Sequence, residues 1–215
     1  MIRAFVQARM SSRRFPGKVL APIGGQSILK RLLEQAARII PLTRITVLTS
    51  SELSDDPLAC YARSLGAVVY RGDLDNVAAR FFTCLQEYPC DWFIRLCADS
   101  PVLDATVLKT IVDYQDRLDL DLVTNVHPRT FAKGHSVEMV RAERFAALDV
   151  HALSAEEQEH VTTVFYRHPQ RFRILNVTSG DSRQAELSYA VDTLEDLQRL
   201  EILGRANGWW GEAKR

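Results

Sequence analysis

The chain has 215 residues, 47% of them hydrophobic and 25% charged, and its 27 basic and 27 acidic side chains cancel to a formal net charge of zero at pH 7. That length and composition describe one globular domain with a sizeable core, and the balanced charge removes the bulk attraction that draws a protein to a polynucleotide or an anionic membrane. The opening MIRAFVQARM has too few apolar residues before Arg9 for a signal segment, and no run approaches bilayer length, so a cytoplasmic protein is expected.

Short apolar runs alternate with segments of helical period, the pattern of βαβ units around a mostly parallel sheet. IRAFVQA (2–8) reads as a first buried strand. Past a basic loop, Ser27 is placed to cap a helix in which Leu29, Leu32, Leu33, Ala36, Ala37 and Ile40 share one face. RITVLTS (44–50) is a second strand, followed by a helix from about Pro57 to Leu65, a strand AVVYRG (67–72) and a helix NVAARFFTCLQEY (76–88). DWFIRLCADSP (91–101) is a strand running into a loop, Asp104 caps a helix over 105–118, and DLDLVTNV (119–126) is a further strand. From 127 the rhythm changes: a loop, a strand over 135–140, helices over 141–148 and 154–169, and a strand over 172–177. This reads as a segment of 127–177 inserted into a single domain of 1–215. The sheet is expected to resume with LSYAVD (187–192), and Thr193 with Asp196 forms a capping box for a helix through Ala206 that Gly208 ends.

The four cysteines, Cys60, Cys84, Cys90 and Cys97, show neither CxxC pairing nor a histidine at zinc-ligand spacing, so they are expected to be buried reduced thiols. The chemistry lies elsewhere. QARMSSRRFPGK (7–18) follows the first strand, where open α/β sheets bind ligands. It matches neither GxGxxG nor a Walker A loop, yet Arg9, Arg13, Arg14 and Lys18 offer cationic donors, Ser11 and Ser12 offer hydroxyls, and Gly17 lets backbone approach a ligand. A triphosphate suits that set, and a solvated basic turn is the plain alternative. Asp99 and Asp192 each stand just past a strand. Singly they read as turn or helix-start residues; together, beside a polycationic loop, they suit Mg²⁺ and nucleotide phosphates.

VQARMSSRRFPGKVL resembles the nucleotide-binding motif of the cytidylyltransferases that make CMP-activated acid sugars: the acylneuraminate and 3-deoxy-octulosonate types, and most closely the spore coat polysaccharide branch. RGDLDNVAARF (71–81), RLCADSPVLD (95–104), GHSVEMV (134–140), EHVTTVFYRHPQRF (159–172) and AVDTLEDL (190–197) extend the resemblance along the chain. It implies a Rossmann-like three-layer fold of the glycosyltransferase-A, nucleotide-diphospho-sugar transferase type, with a mostly parallel central sheet. It also implies CTP as donor, a small acid sugar as acceptor, Mg²⁺ on Asp99 and Asp192, and a homodimer for surface polysaccharide synthesis. By the same resemblance Arg9, Ser12, Arg13 and Lys18 contact the triphosphate, Ala8 lies against the base, and Arg71, Asp75 and Arg80 lie near the nucleoside or sugar. Lys18, Arg13, Asp99 and Asp192 are then the catalytic group. Glu138, Glu159 and His160 fall in matching motifs on the acceptor side, where Arg129, Lys133, Arg167 and His168 offer charge for a sugar carboxylate or stand as plain surface residues. Cys97-Ala98 replaces the motif's usual Thr-Gly, and RMSSRR departs from the Arg-Gly-Gly-Ser-Lys of the neuraminate enzymes, so the acceptor need not be a sialic acid. Apolar Val137, Met139, Val140, Val161, Val164, Phe165 and Tyr166 suggest a two-fold interface in the inserted segment. Two rivals stay open: a glycosyltransferase using Asp73 and Asp75 as a D-x-D pair, and a non-catalytic nucleotide-binding protein of the same fold.

Overall fold

In the computed structural model, which describes residues 1–210, the β-rich run at the start of the chain becomes the central strand of the molecule. β1 (Ile2–Gln7) sends Ala4 and Val6 to one face and Phe5 to the other, and all three are fully buried, so both faces of the strand need a cover. A short hairpin, β2 (Pro22–Ile23) with β3 (Gln26–Ser27), leads into α1 (Ile28–Ala37), whose first turn is capped by the Ser27 hydroxyl. β4 (Ile45–Ser50), α2 (Asp56–Ser64), β5 (Val68–Gly72), α3 (Val77–Glu87) and β6 (Trp92–Cys97) follow, β4 and β5 on one side of β1 and β6 on the other, with Asn76 capping α3. Asp104 caps α4 (Ala105–Val112), and β7 (Leu122–Thr124), β8 (Glu138–Arg141) and α5 (Ala142–Ala146) follow. α6 (Ala155–Glu159), α7 (Thr163–Arg167), β9 (Ile174–Asn176) and α8 (Leu194–Ala206) close the described chain.

The main sheet runs β5-β4-β1-β6-β8-β7-β9. β8 alone is antiparallel to its neighbours, β6 and β7. Winding reverses between β1 and β6, which leaves a crevice at their carboxyl ends. One face carries Ala4, Val6, Val47 and Ile94 against α1, α2 and α4; the other carries Phe5, Leu48, Phe93, Leu122 and Val140 against α3 and α5 to α7. On the second face Phe93 stacks on Phe5 at 5.4 Å between ring centres and meets Phe145 edge-on at 5.1 Å. No helix among the described residues is long and apolar enough to cross a membrane.

Several expectations need correction. The helix over 105–118 stops at Val112, and the chain continues in turns, with Tyr114 still against the core and Leu118 exposed. The helix over 154–169 is two short ones, broken at His160–Thr162 where buried Val161 turns into the core. LSYAVD (187–192) does not join the main sheet: Tyr189 N–H donates to the Lys133 carbonyl and Val191 N–H to that of Asp99, so its backbone is satisfied by loops. Gly134, at φ 95°, permits that approach, since a Cβ there would lie 2.7 Å from the Tyr189 carbonyl carbon. Of the four cysteines expected to be buried, Cys84 is; Cys60 is exposed, and Cys90 and Cys97 are half-buried. Val137, Met139, Val140, Val161, Val164 and Phe165, offered as an interface, are buried in the chain's own core, and Tyr166 packs against it.

Candidate active site

The loop after β1 is held in shape by backbone and by one carboxylate. Ala8 N–H donates to the Leu48 carbonyl, and Met10 N–H donates to Asp55 Oδ1 at 2.7 Å. Asp55 is fully buried and also accepts from Thr49 Oγ1, Ser50 Oγ and Ser50 N–H. Burial works to raise its carboxyl, and these hydrogen bonds from Ser50, Met10 and Thr49 outweigh it and hold the group below the usual carboxylate range. At the far end of the loop Gly17, at φ 74°, turns the chain so that its N–H meets the Met10 carbonyl at 2.8 Å. Phe15 packs on the small cluster of Ile23, Ile28, Val191 and Leu200, fixing the loop beside the segment that carries Asp192.

The result is a cleft of about 360 Å³ at the β1/β6 crevice. Ala8, Arg9, Ser12, Arg13, Arg14 and Lys18 line one side; Gln7, Arg95, Cys97, Ala98, Asp99, Glu159, His160 and Asp192 line the rest. Lys18 is the centre of charge. Its Nζ lies 3.3 Å from Asp99 Oδ2, 2.9 Å from Asp192 Oδ1 and 2.8 Å from the Val191 carbonyl, and Arg14 reaches Asp192 Oδ1 at 2.9 Å. Two carboxylates 93 residues apart in sequence thus share one cation. Hard oxygens gathered on a single positive charge are a donor set that a divalent cation of the Mg²⁺ kind accepts. No third carboxylate, histidine or cysteine completes a cage with them among the described residues.

Other predicted residues lie farther out. Ser11 is exposed on the loop and outside the cleft wall. Arg71 is tied to the Ser50 and Glu52 carbonyls and to Asp56, away from the cleft. Arg80 is buried under the basic loop; burial brings its guanidinium down to about 10, with Asp55 and Asp73 opposing that and Arg9 adding to it, and its Nε and Nη2 have no partner among the described residues. Asp73 accepts from the N–H groups of Asp75 and Asn76, so the D-x-D pair caps a turn, and neither carboxylate lines the cleft. Arg129 donates to Ser136, Lys133 is exposed, and Arg167 and His168 face Glu156 and Glu157 on α6. Glu159 meets Arg9 at 3.2 Å across the mouth, beside His160.

Glu138 is not at the surface of the cleft but behind it. It is 3% exposed, accepts from Arg95 Nη1 and from the Tyr166 hydroxyl, both at 2.5 Å, and has Thr124 Oγ1 2.8 Å beyond the phenol. Burial and the neighbouring carboxylate push the Tyr166 phenol far above its ordinary value. Burial also pushes the Cys97 thiol up to about 11, so it faces the cleft protonated at neutral pH. Gln7, Asp55 and Arg95 were not singled out from the sequence. Asp55 follows a strand end like many turn residues, and Arg95 and Gln7, although they open the RLCADSPVLD and QARMSSRRFPGK runs, sit inside strands, where alternation does not by itself mark a side chain as functional.

A doubly wound sheet whose first crevice gathers cations over paired carboxylates is the nucleotide-sugar transferase fold. The profile of the cytidylyltransferase family matches residues 4–211, and the chain belongs to that family. It is 27% identical to the spore coat polysaccharide biosynthesis protein SpsF of Bacillus subtilis over 211 residues, 94% of this chain and 86% of that one. Among solved structures, a cytidylyltransferase from Leptospira borgpetersenii superposes with a TM-score of 0.86 at 24% identity, covering 100% of this chain and 98% of that one. The CMP:2-keto-3-deoxy-manno-octonic acid synthetase solved with CTP superposes at 0.72 with 16% identity, covering 96% and 99%.

Proposed function

We propose that the protein transfers CMP from CTP to a small acid sugar and releases pyrophosphate, for the synthesis of a surface polysaccharide or glycan. The observation that carries this is Lys18 bridging Asp99 and Asp192 under a loop of three arginines and Ser12. An acceptor oxygen attacks the α-phosphorus; the new oxygen–phosphorus bond forms as the bond to the β-phosphate oxygen breaks. Such a transfer asks the protein for position and charge rather than for a covalent nucleophile. Arg9, Arg13, Arg14 and Lys18 neutralise the triphosphate and the charge that gathers on departing pyrophosphate, and Ser12 donates to it. Asp99 and Asp192 would hold Mg²⁺, which when bound screens the phosphate charge. Ala8, small and at the end of β1, leaves room for the base.

Incubation with each of the four nucleoside triphosphates, Mg²⁺ and a panel of acid sugars, followed by pyrophosphate release, tests the reading. Turnover that requires CTP and an acid sugar is expected, and turnover without preference for CTP overturns it. Cytoplasmic location follows from the use of CTP. Pairing of two copies rests on the resemblance to related enzymes and needs a face other than the buried core of 135–170; light scattering that gives 24.3 kDa at micromolar concentration refutes it.

A further inference from the structure

If the acceptor is an acid sugar, some cation must read its carboxylate, and the charged residues of the 127–170 segment do not line the cleft apart from Glu159 and His160. A cation on the sheet does. On the face that carries Phe5, Phe93, Val140 and Leu122, the alternation of strand side chains places Gln7, Arg95, Glu138 and Thr124 as a polar row next to the phenylalanine core. Arg95 is paired in register with Glu138 on the adjacent strand.

The two edges of the Arg95 guanidinium are used differently. Nη1 meets the buried Glu138 carboxylate at 2.5 Å, with Thr162 Oγ1 at 3.5 Å. The opposite edge, Nε with Nη2, is the parallel pair of donors that matches a carboxylate. It is spanned by one neutral atom, Gln7 Oε1, at 3.3 and 3.2 Å. Charge-assisted bonds close to about 2.7–2.9 Å, so this edge is under-filled. Gln7 Nε2 has no hydrogen-bond partner among the described residues, and Gln7 and Arg95 both line the cleft opposite the basic loop.

Building on the cytidylyl-transfer reading, we propose that the Nε/Nη2 edge of Arg95, with the Gln7 amide, binds the acceptor's carboxylate and selects acid sugars over neutral ones. The carboxylate takes the place of Gln7 Oε1 on the fork, and the amide turns its NH₂ to a carboxylate oxygen. Glu138 is a positioning residue. Held by the Tyr166 hydroxyl, it fixes the rotation of the guanidinium and touches no substrate. This moves Glu138 from direct sugar contact to support, and it accounts for a buried ion pair directly beneath a substrate cleft.

The test is calorimetric binding of 2-keto-3-deoxy sugar acids and of their methyl esters, in the presence of a non-hydrolysable CTP analogue, together with steady-state kinetics in CTP. Wild type is expected to prefer acid to ester, and Arg95→Lys, which keeps the charge and loses the fork, should weaken acid binding by about ten- to a hundredfold while ester binding and the KM for CTP shift by less than about threefold. Gln7→Ala should show the same pattern more weakly. Glu138→Gln, which keeps a partner for Tyr166, should raise the acceptor KM without a matching fall in kcat. A buried ion pair replaced by apolar residues keeps a fold intact more often than one left half-broken, so the double variant Arg95→Met with Glu138→Met covers the case in which a single variant unfolds; it should bind acid and ester alike. If Arg95→Lys or the double variant keeps the wild-type preference for acid, the assignment is wrong while the cytidylyl reading stands. If wild type binds no acid sugar at all, both fall.

Discussion

Lys18 shares one ammonium between Asp99 and Asp192, and its side chain is only 12% exposed. Lys18→Met keeps most of the stem and deletes the charge. A charge-assisted contact is worth about 1.5–3 kcal/mol, so kcat/KM for CTP should fall by roughly one to two decades or more. On the proposed reaction the KM for the acceptor should change far less, because in-line attack would come from the side of the α-phosphate opposite the pyrophosphate. Kinetics with CTP and acceptor varied independently checks this. Asp99→Asn and Asp192→Asn should each abolish most turnover at saturating Mg²⁺ and leave the thermal midpoint within a few degrees, since both carboxylates are part-exposed. A variant with near-normal turnover removes that residue from the site.

Between residue and fold stands the loop from Ala8 to Gly17, and its anchor is a residue 45 positions away from Met10. Asp55→Ala strips the Met10 amide, Thr49 and Ser50 of a buried acceptor and should cost about 2–4 kcal/mol. The pH dependence has a definite sign. The Asp55 carboxyl is held below its unfolded value, so its contribution is present above the unfolded pKa and is lost as pH falls through the folded one. Denaturant titrations should therefore show wild type and Asp55→Ala far apart at pH 7 and converging in acid; a gap that stays constant with pH argues against an ionised Asp55. This anchor also shows what a sequence discloses. Strand and helix periods, the Ser27, Asn76 and Asp104 caps and the Thr193/Asp196 box are local, and β1, α1, β4, α3, β6 and α8 follow from them closely. The basic loop and Asp99 just past β6 are legible for the same reason, whereas Asp192 is read from a strand over 187–192 that the fold does not form. Asp55, Gln7, Arg95 and the detour of 187–192 are settled by partners far along the chain, which no window of ten residues contains.

At the scale of the whole molecule, the sheet is two halves that meet along one antiparallel seam, β6 against β8. β5, β4, β1 and β6 come from the chain before residue 98, and β8, β7 and β9 come from after 121. Phe93 sits on that seam and packs on Phe5 and Phe81 from one half and on Phe145 from the other. Phe93→Ala should lower stability by about 3–5 kcal/mol in chemical denaturation, and a loss under about 1 kcal/mol would mean that the halves cohere by other contacts. The same seam divides the chemistry: Lys18, Arg95 and Asp99 lie on one side, Glu138 and Asp192 on the other. On the proposed reaction, neither half holds the whole site. The exposed turn at Arg117–Leu118 is therefore a natural cut, and two separately produced pieces, each silent, would regain activity only by finding one another, making pyrophosphate release a direct signal of their reunion.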